Sequence, residues 1–550
     1  MSNKKRVLLV SEAHFLNSGF GTYAKQILRR LHESGKYEIA EFASYGKPSS
    51  VQNIPWLYYG NLPEDHHSEA VKGYNSNQQF QFGSWRFDRV CLDFQPDIVL
   101  SYRDPWMDMY IKDSPNRPYF HWVWMPTVDS APQRQEWIYG FAETDAMFAY
   151  SEFGVEVLKE QGKEMLNVVG CASPGIEPSV YKPVPNKAQH RKEMGLGPDW
   201  FIVGTVMRNQ KRKLFFELMK SFRLFLDKAP SDIAAKSYLY LHTSYPERVG
   251  WNIADGVMQN KLGGKVLMTY ICRTCHQYSV GLFKDAISQC KHCKNMSAVC
   301  PTVGLGLSIE DLIKVYNVFD LYAQYAICEG FGMPQVEAAA CGVPIAATDY
   351  SAMSDVLKHT KGYPIRVEKF FREMETGAER AYPDNEMMAD TMLEFSLLSP
   401  NERFSKSVEA RQGAITRYDW DDTARNWMDY IDSYQATGKQ GVWDSFPIVY
   451  PIPDKVPTGM NHEGFVKWLY EIVLREPERA QRAPAMQMLR DLNYGAKVSQ
   501  GSLEPCTVDQ LFKEFVQRAN HKVMCEQVRV GNVPPSQEYF VDEAHKRKKS

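Results

Sequence analysis

Two glutamates bracket a glycine turn in Cys-Glu-Gly-Phe-Gly-Met-Pro-Gln-Val-Glu at 328–337, which runs on into Ala-Ala-Ala-Cys-Gly-Val-Pro at 338–344. Gly330 and Gly332 allow a backbone to approach a ligand closely. The alanine-rich stretch after them predicts a helix whose first amides suit an anion or sugar hydroxyls. Glu329 precedes the turn and Glu337 falls in the start of that helix, so the two carboxylates are expected to face one ligand from its two ends. Four cysteines form a second constellation: Cys272-Arg-Thr-Cys275, fourteen intervening residues, then Cys290-Lys-His-Cys293. Two Cys-x2-Cys knuckles at this spacing predict a zinc ribbon with four thiolate ligands. Such a site is closed, hence structural and not catalytic. His276, His292 and Cys300 are spare ligands nearby.

These residues need elements to position them. An apolar run at 6–10 predicts a buried parallel strand, followed by a loop, Asn-Ser-Gly-Phe-Gly-Thr at 17–22, and a helix that Gly35 stops. Gly19 and Gly21 lack the third glycine of a dinucleotide fingerprint, which argues against a nicotinamide enzyme. Further strand-like runs at 98–100, 119–124 and 146–149 alternate with helical stretches, the signature of a doubly wound sheet. A proline-rich linker at 174–185 separates this unit from a second, which opens with a strand at 200–206. The expected division is a first α/β domain over 1–180, a second over 186–435 with closing helices, the zinc-ribbon insert at 250–302 within it, and a helical extension over 445–550 ending in a disordered basic tail. In the extension, 465–474 is the clearest helix.

His121 and Asp129 stand in an aromatic run, 119–129, at a strand of the first unit. Strand ends that face a cleft are where an acceptor binds in open α/β folds, so both are candidate acceptor residues. The chain has 550 residues, 44% hydrophobic and 24% charged, with a net charge of −2, which excludes a protein that binds polyanions with its whole surface. No apolar run reaches the ~18 residues of a membrane span. Of its eleven cysteines, seven fall between Cys272 and Cys341, unlike a secreted disulfide framework, so the expected compartment is the cytoplasm.

The string 328–344 resembles the signature of the retaining glycosyltransferases with the GT-B fold, and the resemblance extends over roughly 1–435. Met-Arg-Asn-Gln-Lys-Arg-Lys at 207–213, the glycines at 19 and 21, and the stretches 145–154, 174–183 and 308–320 match in order. It implies two Rossmann-like domains facing a cleft, with a nucleotide-diphosphate sugar as donor. Glu329 would contact hydroxyls of the donor sugar, Gly330, Phe331, Gly332 and Met333 would hold sugar and phosphate through their amides, and Glu337 would bind the ribose. Arg208 and Lys213 would neutralise the departing diphosphate, with Gly19 and Gly21 facing it, so that Arg208, Lys213 and Glu329 form the catalytic set and no catalytic metal is required. Fixed cations in a dry cleft are well suited to such a leaving group. The family does not specify the acceptor: a glycan is one class, and a hydroxymethylated base in DNA is another, given the ribbon and the basic tail. Two rival readings are a glycoside hydrolase or phosphorylase using Glu329 and Glu337 as a carboxylate pair, and a non-catalytic nucleic-acid-binding protein using the ribbon.

Overall fold

The computed structural model describes residues 4–434 apart from 52, 115 and 303, together with Trp443, 497–499 and 502–504. The helix expected at 465–474 lies outside the described residues. Within the extension, Lys497–Ser499 and Ser502–Glu504 pair as antiparallel strands, so it is not helical throughout.

The first domain is a seven-stranded sheet of β1 (Lys5–Glu12), β2 (Tyr37–Ser44), β3 (Leu57–Gly60), β4 (Ile98–Ser101), β5 (His121–Trp124), β6 (Ala146–Ala149) and β7 (Val168–Cys171). Their order is β3-β2-β1-β4-β5-β6-β7, and all pairings are parallel. Val7, Leu8, Leu9 and Val10 are wholly buried, as a strand covered on both faces requires. The helix Gly19–Glu33 follows β1. Ser18 caps it by accepting from the Gly21 amide at 3.0 Å, and Gly35 at φ +65° ends the turn beyond it.

The second domain repeats the plan. Its strands are β8 (Phe201–Val206), β9 (Ser237–His242), β10 (Val266–Cys272), β11 (Tyr278–Leu282), β12 (Ile287–Ser288), β13 (Ala298–Val299), β14 (Leu321–Gln324), β15 (Ile345–Thr348) and β16 (Tyr363–Ile365). The order β10-β9-β8-β14-β15-β16 is parallel throughout, and β11 and β13 extend it by pairing antiparallel with β10. The insert therefore begins later than expected: residues 253–259 form a helix and β10 is a strand of the main sheet, so only the chain from Cys272 onward is added. A two-stranded hairpin, β17 (Val367–Arg372) and β18 (Glu379–Pro383), follows β16.

The closing helix Trp420–Ser433 corrects the expected domain boundary. It crosses back onto the first domain, where Trp427 is wholly buried and its indole donates to the Tyr23 hydroxyl at 2.7 Å. Lys5 donates to the carbonyls of Ile431 and Tyr434, each at 2.5 Å, and Lys36 pairs with Asp432 at 2.6 Å. Trp443 continues this return, buried in the first domain with its indole on the Pro96 carbonyl at 3.0 Å. The linker is pinned beside it, since the Ile176 amide donates to the Tyr418 carbonyl at 2.8 Å. No helix among the described residues is long and apolar enough to cross a membrane.

Because Trp427 fills the first domain's core from outside its own sheet, Trp427→Ala should destabilise that domain by about 3–5 kcal/mol. Thermal unfolding followed by domain-resolved hydrogen exchange is the check. Loss of protection is expected in the Gly19–Glu33 helix, with β8 and β14 far less affected.

Candidate functional site

In a sheet of this order the crevice opens where the strand order reverses, beyond the carboxyl ends of the two strands there. In the second domain these strands are β8 and β14. The loop after β8 carries Arg208 and Lys213, and the loop after β14 carries Glu329. The two loops are joined by backbone: Lys213 forms a bridge with Ala326, the Leu214 amide donates to the Tyr325 carbonyl at 2.9 Å, and the Ile327 amide donates to the Arg212 carbonyl at 3.0 Å.

This ladder delivers the Lys213 ammonium directly onto one oxygen of Glu329. Arg212 donates to the other at 2.8 Å, and Gln324, the last residue of β14, donates to the first at 2.6 Å. The Ser351 hydroxyl accepts from the Glu329 amide at 3.0 Å. Glu329 is only 4% exposed, so its charge depends on these donors. Burial and then the Arg212 charge push the Lys213 ammonium well below its ordinary range, with Cys328 and Asp129 opposing. Arg208, by contrast, is exposed, with no side-chain hydrogen bond or ion pair among the described residues, in the loop that follows β8.

The glycine turn explains its own composition. Gly332 sits at φ +84° as the cap of the helix Met333–Ala340, a conformation a side chain would strain, and no side chain caps the helix's first amides. A methyl group on Gly330 would fall 2.5 Å from the Thr127 methyl of the first domain, and one on Gly19 would sit 4.0 Å from the Met333 sulfur. Gly19 and Gly21, expected in a loop, lie in the first turn of the helix Gly19–Glu33, and Gly19 approaches the start of the second-domain helix at Met333. Gly21 is fixed by packing, since a methyl there would lie 2.6 Å from the Leu16 carbonyl oxygen.

Asp129 is in this seam. It accepts from Arg380 of β18 at 2.8 Å and lies 3.2 Å from the Cys328 sulfur, next to Glu329. Burial would raise its carboxyl, but the Arg380 guanidinium outweighs it and holds the group below its usual range. His121 is not in the seam. It begins β5, at the opposite end of the strand from the crevice, where it stacks on Tyr434 at 3.8 Å and bonds the Tyr430 hydroxyl at 2.9 Å. Its expected role as an acceptor residue is corrected on that ground: it packs the returning helix.

Glu337 also departs from expectation. It is the fifth residue of its helix, and its two oxygens take the hydroxyls of Tyr181 at 3.1 Å and Tyr316 at 2.5 Å. Burial raises its carboxyl, moderated by these two donors. A ribose reaching Glu337 would have to share it with Tyr181, which comes from the inter-domain linker.

Sequence reasoning missed Arg212, Gln324, Arg380 and Asp104. Asp104 follows β4, which with β1 flanks the reversal point of the first sheet, so the strand-like run at 98–100 was the available signal. Burial pushes its carboxyl up to about 6. Arg380 carried no signal, since a hairpin brings it across the seam.

The four cysteines Cys272, Cys275, Cys290 and Cys293 converge with all sulfurs within 4.8 Å of one another, 3.5 Å between Cys272 and Cys293 and 3.6 Å between Cys275 and Cys290. None is in a disulfide. Tetrahedral zinc with sulfurs at about 2.3 Å sets their mutual spacing near 3.8 Å, so the cluster fits that ion. The Thr274 and His292 amides donate to Cys272 and Cys290 sulfurs, each at 3.3 Å, as thiolates favour. The spare candidates His276, His292 and Cys300 are outside the cluster. Lys291 and Lys294 bond carbonyls of Val280 and Lys291 at 2.5 and 2.7 Å, turned onto the insert itself.

With this geometry in hand, comparison with known proteins is informative. Residues 302–377, which contain both motif glutamates, match the family model Glycosyl transferases group 1. Sucrose-phosphate synthase from Thermosynechococcus elongatus superimposes with a TM-score of 0.57 at 14% identity, over 78% of this chain and 98% of that one. A glycosyltransferase from Rickettsia africae gives 0.52 at 14% identity over 78% and 98%, and the Anabaena protein HepE in complex with UDP and glucose gives 0.53 at 12% over 78% and 100%. The fold is GT-B. The sequence matches no curated protein. The family match and the GT-B architecture together support a group 1 glycosyltransferase.

The raised Asp104 gives a pH-dependent stability with a definite sign. Its folded pKa of about 6 lies above the unfolded ~3.9, so the folded state prefers the protonated form and the residue's contribution is lost as pH rises through 6. Asp104→Asn should therefore raise the melting temperature at pH 7.5 relative to wild type, with the difference vanishing by about pH 4. A constant difference across this range would contradict the burial argument.

Proposed function

We propose that this chain is a retaining glycosyltransferase that moves a sugar from a nucleotide-diphosphate sugar to a hydroxyl acceptor. The observation that carries the proposal is the buried Glu329 carboxylate, gripped by Lys213 and Arg212 at the crevice of one domain, with Thr127 of the other against the neighbouring Gly330. In this reading Glu329 accepts hydrogen bonds from donor-sugar hydroxyls. Arg208 and Lys213 receive the diphosphate as negative charge develops on it, and the uncapped helix start at Met333 faces the phosphates. Uridine nucleotides are the donors to test first, since HepE was solved with UDP and glucose. Retention of configuration follows the family pattern, with no enzyme nucleophile at the anomeric carbon.

A glycosidase reading finds less support. Both oxygens of Glu337 take tyrosine hydroxyls, and the cations Lys213 and Arg212 on Glu329 favour a hydrogen-bond acceptor over a general acid. The ribbon's assigned role is structural, with zinc on Cys272, Cys275, Cys290 and Cys293 closing a segment that has little core of its own.

Glu329→Ala and Arg208→Ala should each lower release of free UDP from UDP-glucose, with or without acceptor, by about 10²–10³ while circular dichroism stays unchanged. Near-wild-type turnover by either variant would remove it from the donor site. Elemental analysis should find one zinc per chain, lost in the Cys290→Ser, Cys293→Ser double variant. Full zinc in that variant would refute the ligand set.

A further inference from the structure

Beside the Glu329 crevice lies a second recess that none of the donor roles uses. Its lining includes Asp104, Trp106, Asp129, Gln133 and Trp137 from the first domain and Arg380 from the β17–β18 hairpin of the second. It adjoins the donor site closely: Asp129 and Arg380 both reach the sulfur of Cys328, the neighbour of Glu329, at 3.2 and 2.9 Å. Asp104 comes from the loop after β4, at the reversal point of the first sheet, where an open α/β domain binds its ligand.

Three features point to what the recess takes. Trp106 and Trp137 lie with ring centres 5.9 Å apart, and Trp106 is 45% exposed, which leaves part of an indole open to stack on a ligand ring. Gln133 is 5% exposed, and while its side-chain amide donates to the Ser130 carbonyl at 2.6 Å, its Oε1 has no partner, so a hydroxyl donor is wanted there. Carboxylates outnumber cations in the lining: Asp104 and Asp129 face the one arginine, Arg380, which is shared between Asp129 and, at 2.7 Å, Glu373. The hollow is about 70 Å³, room for several waters or the hydroxyl-bearing edge of a ring.

We propose that this recess is the acceptor subsite and that the acceptor is a saccharide, its ring face on Trp106 and its hydroxyls on Gln133 and the carboxylates of Asp104 and Asp129. A phosphate backbone entering the recess itself would meet the carboxylates of Asp104 and Asp129, which disfavours a DNA acceptor there. The subsite is a composite of both domains, so the acceptor is bound where the hairpin and the first domain touch: the Glu379 amide donates to the Ala131 carbonyl at 2.8 Å, and the Ala131 amide to the Tyr350 hydroxyl at 3.2 Å.

This proposal rests on the transferase reading, and its test is run without any donor so that the two can fail separately. Saturation-transfer NMR of the full chain is recorded with methyl α- and β-pyranosides of glucose, galactose and mannose. At least one should give a signal that Trp106→Ala reduces at least fivefold and Trp106→Phe partly restores, while Phe404→Ala, an exposed aromatic elsewhere, leaves it intact. Trp106 is a surface residue, so its loss should not unfold the chain. Gln133→Leu, checked for folding, should weaken the same signal. Silence from all six glycosides, or signals that persist in Trp106→Ala, would overturn the proposal, as would tight binding of a duplex bearing hydroxymethylated cytosines with no glycoside signal. Calorimetry with UDP-glucose on the same wild-type sample reads the donor site independently.

Discussion

Taking a carboxylate out of water costs several kcal/mol unless donors replace the lost hydration. At Glu329 the replacement comes from a lysine, an arginine and a glutamine side chain on its oxygens, while the Ser351 hydroxyl accepts from its amide. None of these donors could be held there by a flexible loop. The bridge from Lys213 to Ala326 and the amide bonds beside it make the two crevice loops a short extension of the β8–β14 pairing, and those strands are parallel neighbours only because the sheet reverses its order between them. Lys213 is correspondingly committed, whereas Arg208, five residues earlier, stays open. The two cations of the motif are therefore unequal at rest: Lys213 starts on the glutamate, which it would share with an incoming diphosphate, whereas Arg208 is open.

The same logic of commitment extends across the seam. Asp129 belongs to the first domain, yet the charge that lowers it comes from Arg380 of the second. Gly330 has no side chain because Thr127 occupies the space one would need. These contacts hold only if the domains keep their relation, and the returning helix Trp420–Ser433, anchored by Trp427 on Tyr23 and by Lys5 on its carbonyl end, supplies a second tie at the back of the molecule. The linker bond from Ile176 to Tyr418 joins the two ties.

How much of this was legible in the sequence depends on whether a residue acts through its own element or through another. The glycine turn, the cationic loop and the cysteine knuckles are each local, and their spacing reads directly. So does the alternation that gives two α/β units. Residues whose partners are remote in sequence were less legible. Glu337 appeared as a second ligand group because nothing in 328–344 reveals Tyr181, more than 150 positions earlier in the chain. His121 was placed at a crevice because the strand was recognised but its direction at that residue was not. The helix at 420–433 was assigned to the domain it follows, since periodicity specifies an apolar face but not which sheet receives it.

The cysteine insert shows how far a metal site can be interpreted from its place in the sheet. β10 would otherwise be an edge strand of a parallel sheet, presenting unpaired backbone to solvent. The added strands β11 and β13 pair with it, and the knuckle at Cys272 starts at its last residue. Two strands, β9 and β8, separate this edge from the crevice by roughly 10 Å at ordinary strand spacing. Tyr278 of β11 meets the Met194 sulfur at 3.5 Å, on the segment leading into β8. An insert that closes an edge and packs on its own domain needs an internal anchor more than a ligand surface, because its strands are short, two of them only two residues long. Four thiolates that converge as these do would supply that anchor on binding one ion, without a hydrophobic core, and would tie the ribbon to the stability of the second sheet.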